Sequence, residues 1–583
     1  MVDDAFEGKR NENGRPPVAH AVSRRCFAGL GGLAGVAMAA PALVGRAWAD
    51  GVNGSEREER HRVVIIGAGV GGCVAAFRLA QAGIGNVVLE RGRRWPITPS
   101  GGTFPRMLAP DARTFWLDGR PSLPLASDVP VVSQALDAFN SLALPRFTGL
   151  LDFTVDENVI AVCGAGVGGG TLVYGGVLPQ PAPGPFHHVF PSVLDYGELD
   201  RTYYPRARRR MAAATFPDDV LRHQRYLSTR LWRSAVERTG LPAERVPGGF
   251  DYDVVRAELA GRARASASVG EWVATGCDSG AKLSVDRTYL ARAEATGNTQ
   301  VRPLHRVTSL TQDRDGAYRV VAEQLTETGG VVRRAVLVCD KVVVAAGGVH
   351  TPRLLVTARD TGALPRLNES VGTGWGTNGD RLVLLKTLLA PTGAPQGGPV
   401  AFMVNDRGDA DRATLMHGGL PFPVETGLLG CFGMGIPSRT GAWVYDHATG
   451  HPRLDWPRDA DTGPQRAVMA LAHQVARRLP LGAVAIDASA PYPLTVHPLG
   501  GAVIGKATDA YGRLHGYHGL YCLDASLMPG STAAVNPALT IAAVVERCLD
   551  DILKNDFARP PRSRPNSSGR GLIPWDGGRS ARQ

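Results

Sequence analysis

"HRVVIIGAGVGGCVAAFRLAQAGIGNVVLERG", residues 61–92, decides the fold of this chain. Val63 to Ile66 is an unbroken β-branched run, the mark of a strand buried on both faces. Gly67, Gly69 and Gly72 follow in G-x-G-x-x-G spacing; Cys73–Ala82 predicts a helix, and Asn86–Leu89 a second strand ending at Glu90. The first glycine permits a tight turn from strand to helix. The second lets main-chain N–H groups approach a pyrophosphate, and the third lets the helix lie close on the strand. Glu90 stands where a carboxylate accepts from both hydroxyls of a ribose. An acid there argues against a 2′-phosphate, and so against NADP. The stretch predicts a dinucleotide-binding α/β unit.

Working outward, "GAGVGGGTLVYGG" (164–176) is a second glycine cluster, with Gly168, Gly169, Gly170, Thr171, Gly175 and Gly176 as candidate cofactor contacts. A nicotinamide dinucleotide does not need it. A flavin dinucleotide lying lengthwise in a crevice needs more than one close backbone approach. "DKVVVAAGGVHTPRLLVTARDTG" (340–362) predicts a buried strand followed by a helix, and the alternating segments before it predict a small antiparallel excursion carrying Val307 under an adenine. Near the other end, "HPLGG" (497–501) holds a lone histidine on a stiff, glycine-bracketed turn. Tyr521–Asp524 predicts the last core strand, and Pro537–Ile541 opens a final helix whose N-terminus carries partial positive charge.

The 583 residues carry a net charge of +10. Clusters of arginine fall in the first 25 residues, at 206–210 and after 559, and no basic run interleaves aromatic residues as a stacking platform would, which argues against nucleic acid. Arg24-Arg25, a mildly apolar run and Ala47-Trp48-Ala49 predict a twin-arginine export signal over residues 1–49, hence a secreted protein folded before export. The eight cysteines lie singly, with no spacing for zinc or a redox dithiol, and no metal site is expected; Cys73 and Cys548 read as buried. Residues 558–583, rich in Arg, Pro, Ser and Gly, read as a disordered tail.

The ordered set of segments resembles the glucose–methanol–choline (GMC) flavoprotein oxidoreductases, and within them the bacterial cholesterol oxidases that hold FAD without a covalent bond. The set comprises residues 61–92, "GVGGGTLVYGG", "GAKLSVDRTYLA", "ARDTGALPRLNESVGTGWGTNG", "VETG", "GAWVYD", "HPLGGAVIGKATDAYGRL" and "LYCLDASLMPGSTAAVNPALTIAAVVER", spanning residues 61–553. The resemblance implies a Rossmann-like FAD-binding domain built from 58–97, 155–182, 296–382 and 498–556. It implies a discontinuous α+β substrate domain from 98–154, 183–295 and 383–497, with a sheet over the flavin. It implies oxidation of the 3β-hydroxyl of a sterol, with hydride passing to flavin N5, reoxidation by molecular oxygen giving hydrogen peroxide, and isomerisation of the 5-ene-3-ketone to the 4-ene-3-ketone. His497 matches the family's active-site histidine, Asn536 its asparagine partner, and Glu425 its isomerising glutamate. On the same resemblance Asp524 passes the flavin's far end, and Asn536 and Pro537 belong to the cofactor contacts, the helix that Pro537 opens facing the flavin pyrimidine carbonyl.

Such a pair suits the chemistry, since hydride leaves a carbinol carbon only when its hydroxyl is held at a fixed angle and its proton has an acceptor. An isomerising glutamate needs a dry pocket that raises its pKa, for which Pro421, Phe422, Val424 and Leu428 are apolar neighbours. The chain departs from the family at Tyr174, where asparagine is expected, at Val177, where methionine is, and at Gly427, where tryptophan is; with Phe422 these shape the substrate pocket. "GSTAAVNP" also runs one residue long. Residues 99–128, rich in Gly and Pro, form a candidate lid for a sterol taken from a membrane. Two rival functions stand: a dehydrogenase or oxidase of another bulky hydrophobic alcohol, and a flavin-bound sterol sensor with little turnover.

Overall fold

The computed structural model describes residues 57–117, 147–156, 158–406, 408, 412–489 and 494–557, all within one compact unit. The expected export signal, the tail and the last 11 residues of the candidate lid, 118–128, lie outside the described residues. Residues 99–115 of that lid form no helix or extended strand.

The opening motif builds β1 (Arg57–Ile66), α1 (Val70–Gln81) and β2 (Asn86–Leu89). The helix starts three residues before the sequence suggests. Gly71 and Gly72 lie inside it because side chains there would collide with neighbouring backbone: a Cβ would sit 1.8 Å from Leu523 O at Gly71 and 2.0 Å from Gly67 O at Gly72. An antiparallel hairpin, β3 (Leu151–Asp156) and β4 (Val159–Gly164), follows. Then come β5 (Thr299–Arg302), β6 (His305–Gln312), β7 (Tyr318–Leu325), β8 (Val331–Val344) and α2 (Gly347–Asp360).

The main sheet runs β5-β2-β1-β8-β7-β6. The first four strands are parallel, while β7 and β6 form the expected antiparallel excursion. Val63 to Ile66 are sealed in the core, which explains their unbroken apolar run.

A second, antiparallel sheet uses β9 (Arg381–Thr387), β10 (Phe402–Asn405), β11 (Ala413–Gly418) and β12 (Leu428–Gly435), with α3 (Thr462–Ala476) before β13 (Ala483–Asp487). Its order is β13-β9-β12-β11-β10, ending on the short strand Glu244–Arg245. Val383, Leu385, Leu415 and Cys431 on one face pack with Val468, Leu471 and Val475 of α3 in a second core. At Gly433 a Cβ would come within 2.2 Å of Val468, so the helix lies directly on the strand. Opposite residues in antiparallel pairs share a face. Leu382, Phe432 and Met416 are therefore in line on the other face, away from α3.

The chain closes with β14 (Leu494–Thr495) parallel to β4, β15 (Leu520–Cys522) parallel to β8, and α4 (Ala538–Asn555). The fold is thus α/β: a Rossmann-like mixed sheet with a second α+β layer, as expected. Cys73 and Cys548 are buried, and the seven described cysteines are unpaired.

The arginines at 206–210 have an internal use. Glu546 of α4, 0% exposed, pairs with Arg78 at 2.6 Å and with Arg210, and accepts from Tyr289 Oη at 3.0 Å. Asp550, one turn on, pairs with Arg78 at 2.6 Å and Arg206 at 2.8 Å. The cluster staples α1, α4 and the helix Tyr204–Arg210 together. Glu546→Ala removes the buried carboxylate while Arg78 and Arg206, both partly exposed, keep Asp550, and we expect it to destabilise the protein by about 1–3 kcal/mol in urea unfolding followed by fluorescence.

Candidate cofactor cradle and active site

Gly67 turns the chain at φ +101°, with a Cβ position only 2.3 Å from Ala345 O. Gly69 then N-caps α1. No described side chain caps that end, its first turn holds no acid, and nothing lies within 4 Å of where a Cβ would stand. The second glycine loop abuts this one: Gly168 N donates to Ala68 O at 2.9 Å, and a Cβ on Gly169 would meet Gly69 Cα at 2.6 Å. Gly170 also faces open space, whereas the N–H of Gly347, which opens α2, is bound by Asp524. Uncapped N–H groups beside bare backbone make an anion cradle, which fits a pyrophosphate. Thr171 braces the loop, donating to Gly168 O at 2.6 Å and accepting from Val285 N at 3.0 Å.

Glu90 is 7% exposed, and burial raises its pKa. Its carboxylate accepts from Ala68 N at 2.9 Å and Gly92 N at 2.8 Å, which aims it along the cradle with lone pairs to spare for ribose hydroxyls. His305 N donates to Glu90 O at 2.8 Å, so half-buried Val307, two residues on, lies toward the ribose end.

Other expected contacts stand differently. At Gly175 and Gly176 a Cβ would meet the rings of Trp272 and Phe250, so the loop packs closely on aromatic side chains there. Asp524 is spent on protein donors: Gly347 N at 2.7 Å, Thr351 Oγ1 at 2.6 Å and Ser526 N at 2.7 Å.

The second centre forms where the C-terminal segment meets the loop before β9. The two are zipped by reciprocal bonds between Gly376 and Leu499, N to O at 2.8 and 3.0 Å. At Gly500 a Cβ would lie 2.0 Å from Gly374 O, and at Gly501 one would lie 2.5 Å from Pro352 Cβ, which is why "HPLGG" carries its paired glycines. Strand β14 delivers His497 two residues past its end. The ring meets Phe432 edge to face at 5.5 Å between centroids. Its Nδ1 lies 2.8 Å from Asp380 Oδ1, and its Nε2 is 3.5 Å from Asn536 Nδ2. Asn536 Oδ1 is buried without a hydrogen-bond partner among the described residues. Pro537 N-caps α4, again with no side-chain cap and no acid in the first turn, so the helix end next to Asn536 suits a developing negative charge.

Asn378 shapes the run before Asn536. At φ +58° and fully buried, it accepts from Ser531 Oγ at 3.1 Å and Thr532 N at 2.9 Å, and donates to Val535 O at 2.9 Å. Ala533 and Ala534 sit at φ +62° and +59°, strain that clusters beside the site. The sequence reading missed Asp380, Asn378 and Phe432. "TNGDRLVLL" did carry a signal, an acid and an asparagine set against an apolar strand.

Three pocket expectations are corrected. Glu425 lies exposed, and its carboxylate is held by Thr392 Oγ1 at 2.7 Å, Thr392 N at 3.0 Å, Gly393 N at 2.7 Å and Gly427 N at 2.7 Å. Burial raises its pKa, but the four hydrogen bonds outweigh it and hold the carboxyl below the usual range, opposite to the expected dry base. Gly427 opens no space: it turns at φ +63°, and a Cβ would strike Lys386 Nζ and Thr387 Oγ1. Val177, 4% exposed, belongs to the second core. Phe422 is half-buried beside this loop. Tyr174 Oη turns inward to Leu283 O at 3.0 Å.

Comparison with known proteins adds the chemistry. Models of the GMC oxidoreductase family match residues 61–359 and 452–544. A cholesterol oxidase of Mycobacterium tuberculosis is 29% identical over 86% of this chain and 93% of its own length, and one of Acinetobacter baumannii is 22% identical over 84% and 94%. The crystal structure of pyridoxine 4-oxidase from Mesorbium loti superposes with a TM-score of 0.56 at 15% identity, covering 84% of this chain and 99% of that one, and so shares the fold. GMC oxidoreductases use FAD, which the cradle geometry fits: Gly69, Gly169 and Gly170 at the pyrophosphate, Glu90 at the ribose. Glu90→Ala should weaken FAD binding roughly 10- to 100-fold, the worth of hydrogen bonds to a charged group, measured by fluorescence titration of the apoprotein.

Proposed function

This chain belongs to the GMC oxidoreductase family, and we propose that it oxidises the 3β-hydroxyl of cholesterol or a related sterol to the ketone, using non-covalently held FAD and passing the electrons to molecular oxygen. The observation that carries the reading is the His497–Asn536 pair, 3.5 Å apart, set against Phe432 on the apolar face of the second sheet. Between those two side chains a secondary alcohol donates its O–H to His497 Nε2 and accepts from Asn536 Nδ2. That fixes the carbinol carbon and gives its proton a destination. Bound FAD would supply the hydride acceptor. Leu382 and Phe432, paired across the strands and half-buried, offer an apolar surface suited to fused hydrocarbon rings.

A membrane source for such a substrate has its own support. Leu388, Leu389 and Val424 stand exposed at the end of this sheet, with Val484 and Ile486 on its edge strand; Leu389 reaches 80% exposure. Leu428, at that end of β12, is four residues from Phe432, about 13 Å of strand. No described helix is long and apolar enough to cross a membrane, so the contact proposed is peripheral. Arg24-Arg25 and Ala47-Trp48-Ala49 support export by the twin-arginine route and action outside the cell.

A second reading, another bulky hydrophobic alcohol, draws on Val177 and Gly427. Neither enlarges a pocket in the way sterol specificity would require, and the relatives are distant. Isomerisation is not assigned to Glu425, whose four hydrogen bonds and exposure leave no mobile base in a dry site.

The deciding experiment is the visible spectrum of the purified protein without oxygen, before and after detergent-dispersed cholesterol. Bleaching of the flavin band, with peroxide on admitting air, is expected; a flavin that stays oxidised overturns the sterol assignment. His497→Ala and Asn536→Ala should each slow the bleaching by about 100- to 10,000-fold. Glu425→Gln should leave the bleaching rate within about threefold of the parent, since only the loop's hydrogen bonds change.

A further inference from the structure

We propose that Asp380 makes His497 a proton acceptor: it is a positioning residue that fixes the neutral ring's proton on Nδ1 and balances the charge the ring gains with the hydroxyl proton. This rests on the reading of His497 as the group that meets the alcohol, and goes beyond it in naming what sets the ring's state.

Asp380 is 1% exposed, in the turn that leads into β9. Its Oδ2 accepts from Val496 N at 2.9 Å, His497 N at 3.0 Å and Thr495 Oγ1 at 3.0 Å, as an ionised carboxylate does, and its Oδ1 stands 2.8 Å from His497 Nδ1. An ionised carboxylate only accepts. The ring nitrogen 2.8 Å from it must therefore carry hydrogen, because a lone pair there would face a lone pair.

With the proton on Nδ1, the neutral imidazole keeps its lone pair on Nε2, the atom beside Asn536 Nδ2. The same carboxylate grips the main chain on both sides of the ring's root, so ring orientation and tautomer are set together. The neighbouring charges are engaged elsewhere: Arg381 Nη2 donates to Asp461 O at 3.1 Å, and Asp461 accepts from Thr377 Oγ1 at 2.7 Å. The cationisable group bonded to Asp380 is the imidazole.

In the step itself the substrate O–H bond breaks as an N–H bond forms at Nε2. Bound FAD would take the carbinol hydrogen with its electron pair as the C=O forms. The imidazolium so formed lies against Asp380, a buried ion pair in place of an isolated buried cation.

Two measurements on the flavin-loaded protein test this. Nitrogen-15 spectra of histidine-labelled protein, with His497 assigned by its loss in His497→Gln, read the tautomer without any substrate. We expect protonated Nδ1 and bare Nε2 in the parent, and loss of that preference in Asp380→Asn. The anaerobic flavin-reduction rate is then measured with cholesterol and, separately, cyclohexanol. Asp380→Asn should fall about 100- to 10,000-fold, with flavin content and substrate affinity within about twofold; in a His497→Ala background the same change should cost less than about threefold. Asp380→Glu, which keeps the acceptor, should recover at least about tenfold over Asp380→Asn.

A parent proton on Nε2, an Asp380→Asn rate within about fivefold of the parent, or an equal loss in both backgrounds overturns the proposal. Should Asp380→Asn purify without flavin, Asp380→Glu decides, and no recovery over His497→Ala overturns it. If neither alcohol bleaches the parent, the functional reading fails while the tautomer result stands on its own.

Discussion

Backbone lies on backbone at the start of α1, and the remainder of the molecule is arranged around that contact. Gly67 turns against Ala345 O, Gly72 against Gly67 O, and Gly71 against Leu523 O, each at a separation that forbids a side chain. The helix therefore rests on β1, on the loop after β8 and on the chain leaving β15 at once. Its uncapped N-terminus is held open over the crevice beside Gly69, and the second glycine loop closes on that point. Remote segments are brought together by the absence of side chains, which is a steric constraint with no attractive partner to look for.

The active centre is built on the opposite principle. Here polar side chains pull separate loops together. Asn378 and Asp380, two residues apart, bind the strained run before Asn536 and the root of His497. One short turn thereby sets both halves of the pair proposed to meet the alcohol. Such a turn is costly to order, with a buried carboxylate and three non-glycine residues at positive φ nearby. That cost is of the kind tolerated where geometry matters to chemistry.

Local sequence misled where a residue's environment comes from elsewhere in the chain. Glu425 stands among Pro421, Phe422 and Val424 and reads as a carboxyl in an apolar pocket. Folding places Thr392 and Gly393 beneath it, and it becomes the anchor of an exposed loop. Arg206 and Arg210 stand in an arginine run with no acid beside them in the sequence, yet α4, more than three hundred residues later, supplies Glu546 and Asp550 to meet them. Nothing beside Gly175 and Gly176 in the chain foretells that the loop packs closely on Trp272 and Phe250 there.

By itself the sequence determined the dinucleotide motif, its strands and helix, Glu90, and the turn of "HPLGG", because each is a local requirement of backbone geometry written in consecutive residues. Only the tertiary structure decided that Asp380 stands behind His497 and that Phe432 lies against its ring. Those are contacts between segments 117 and 65 positions apart, and no local pattern encodes which buried acid will find which imidazole. Side-chain type can be read along the chain. Partnership depends on where the sheets place the loops, and that is a property of the packed whole.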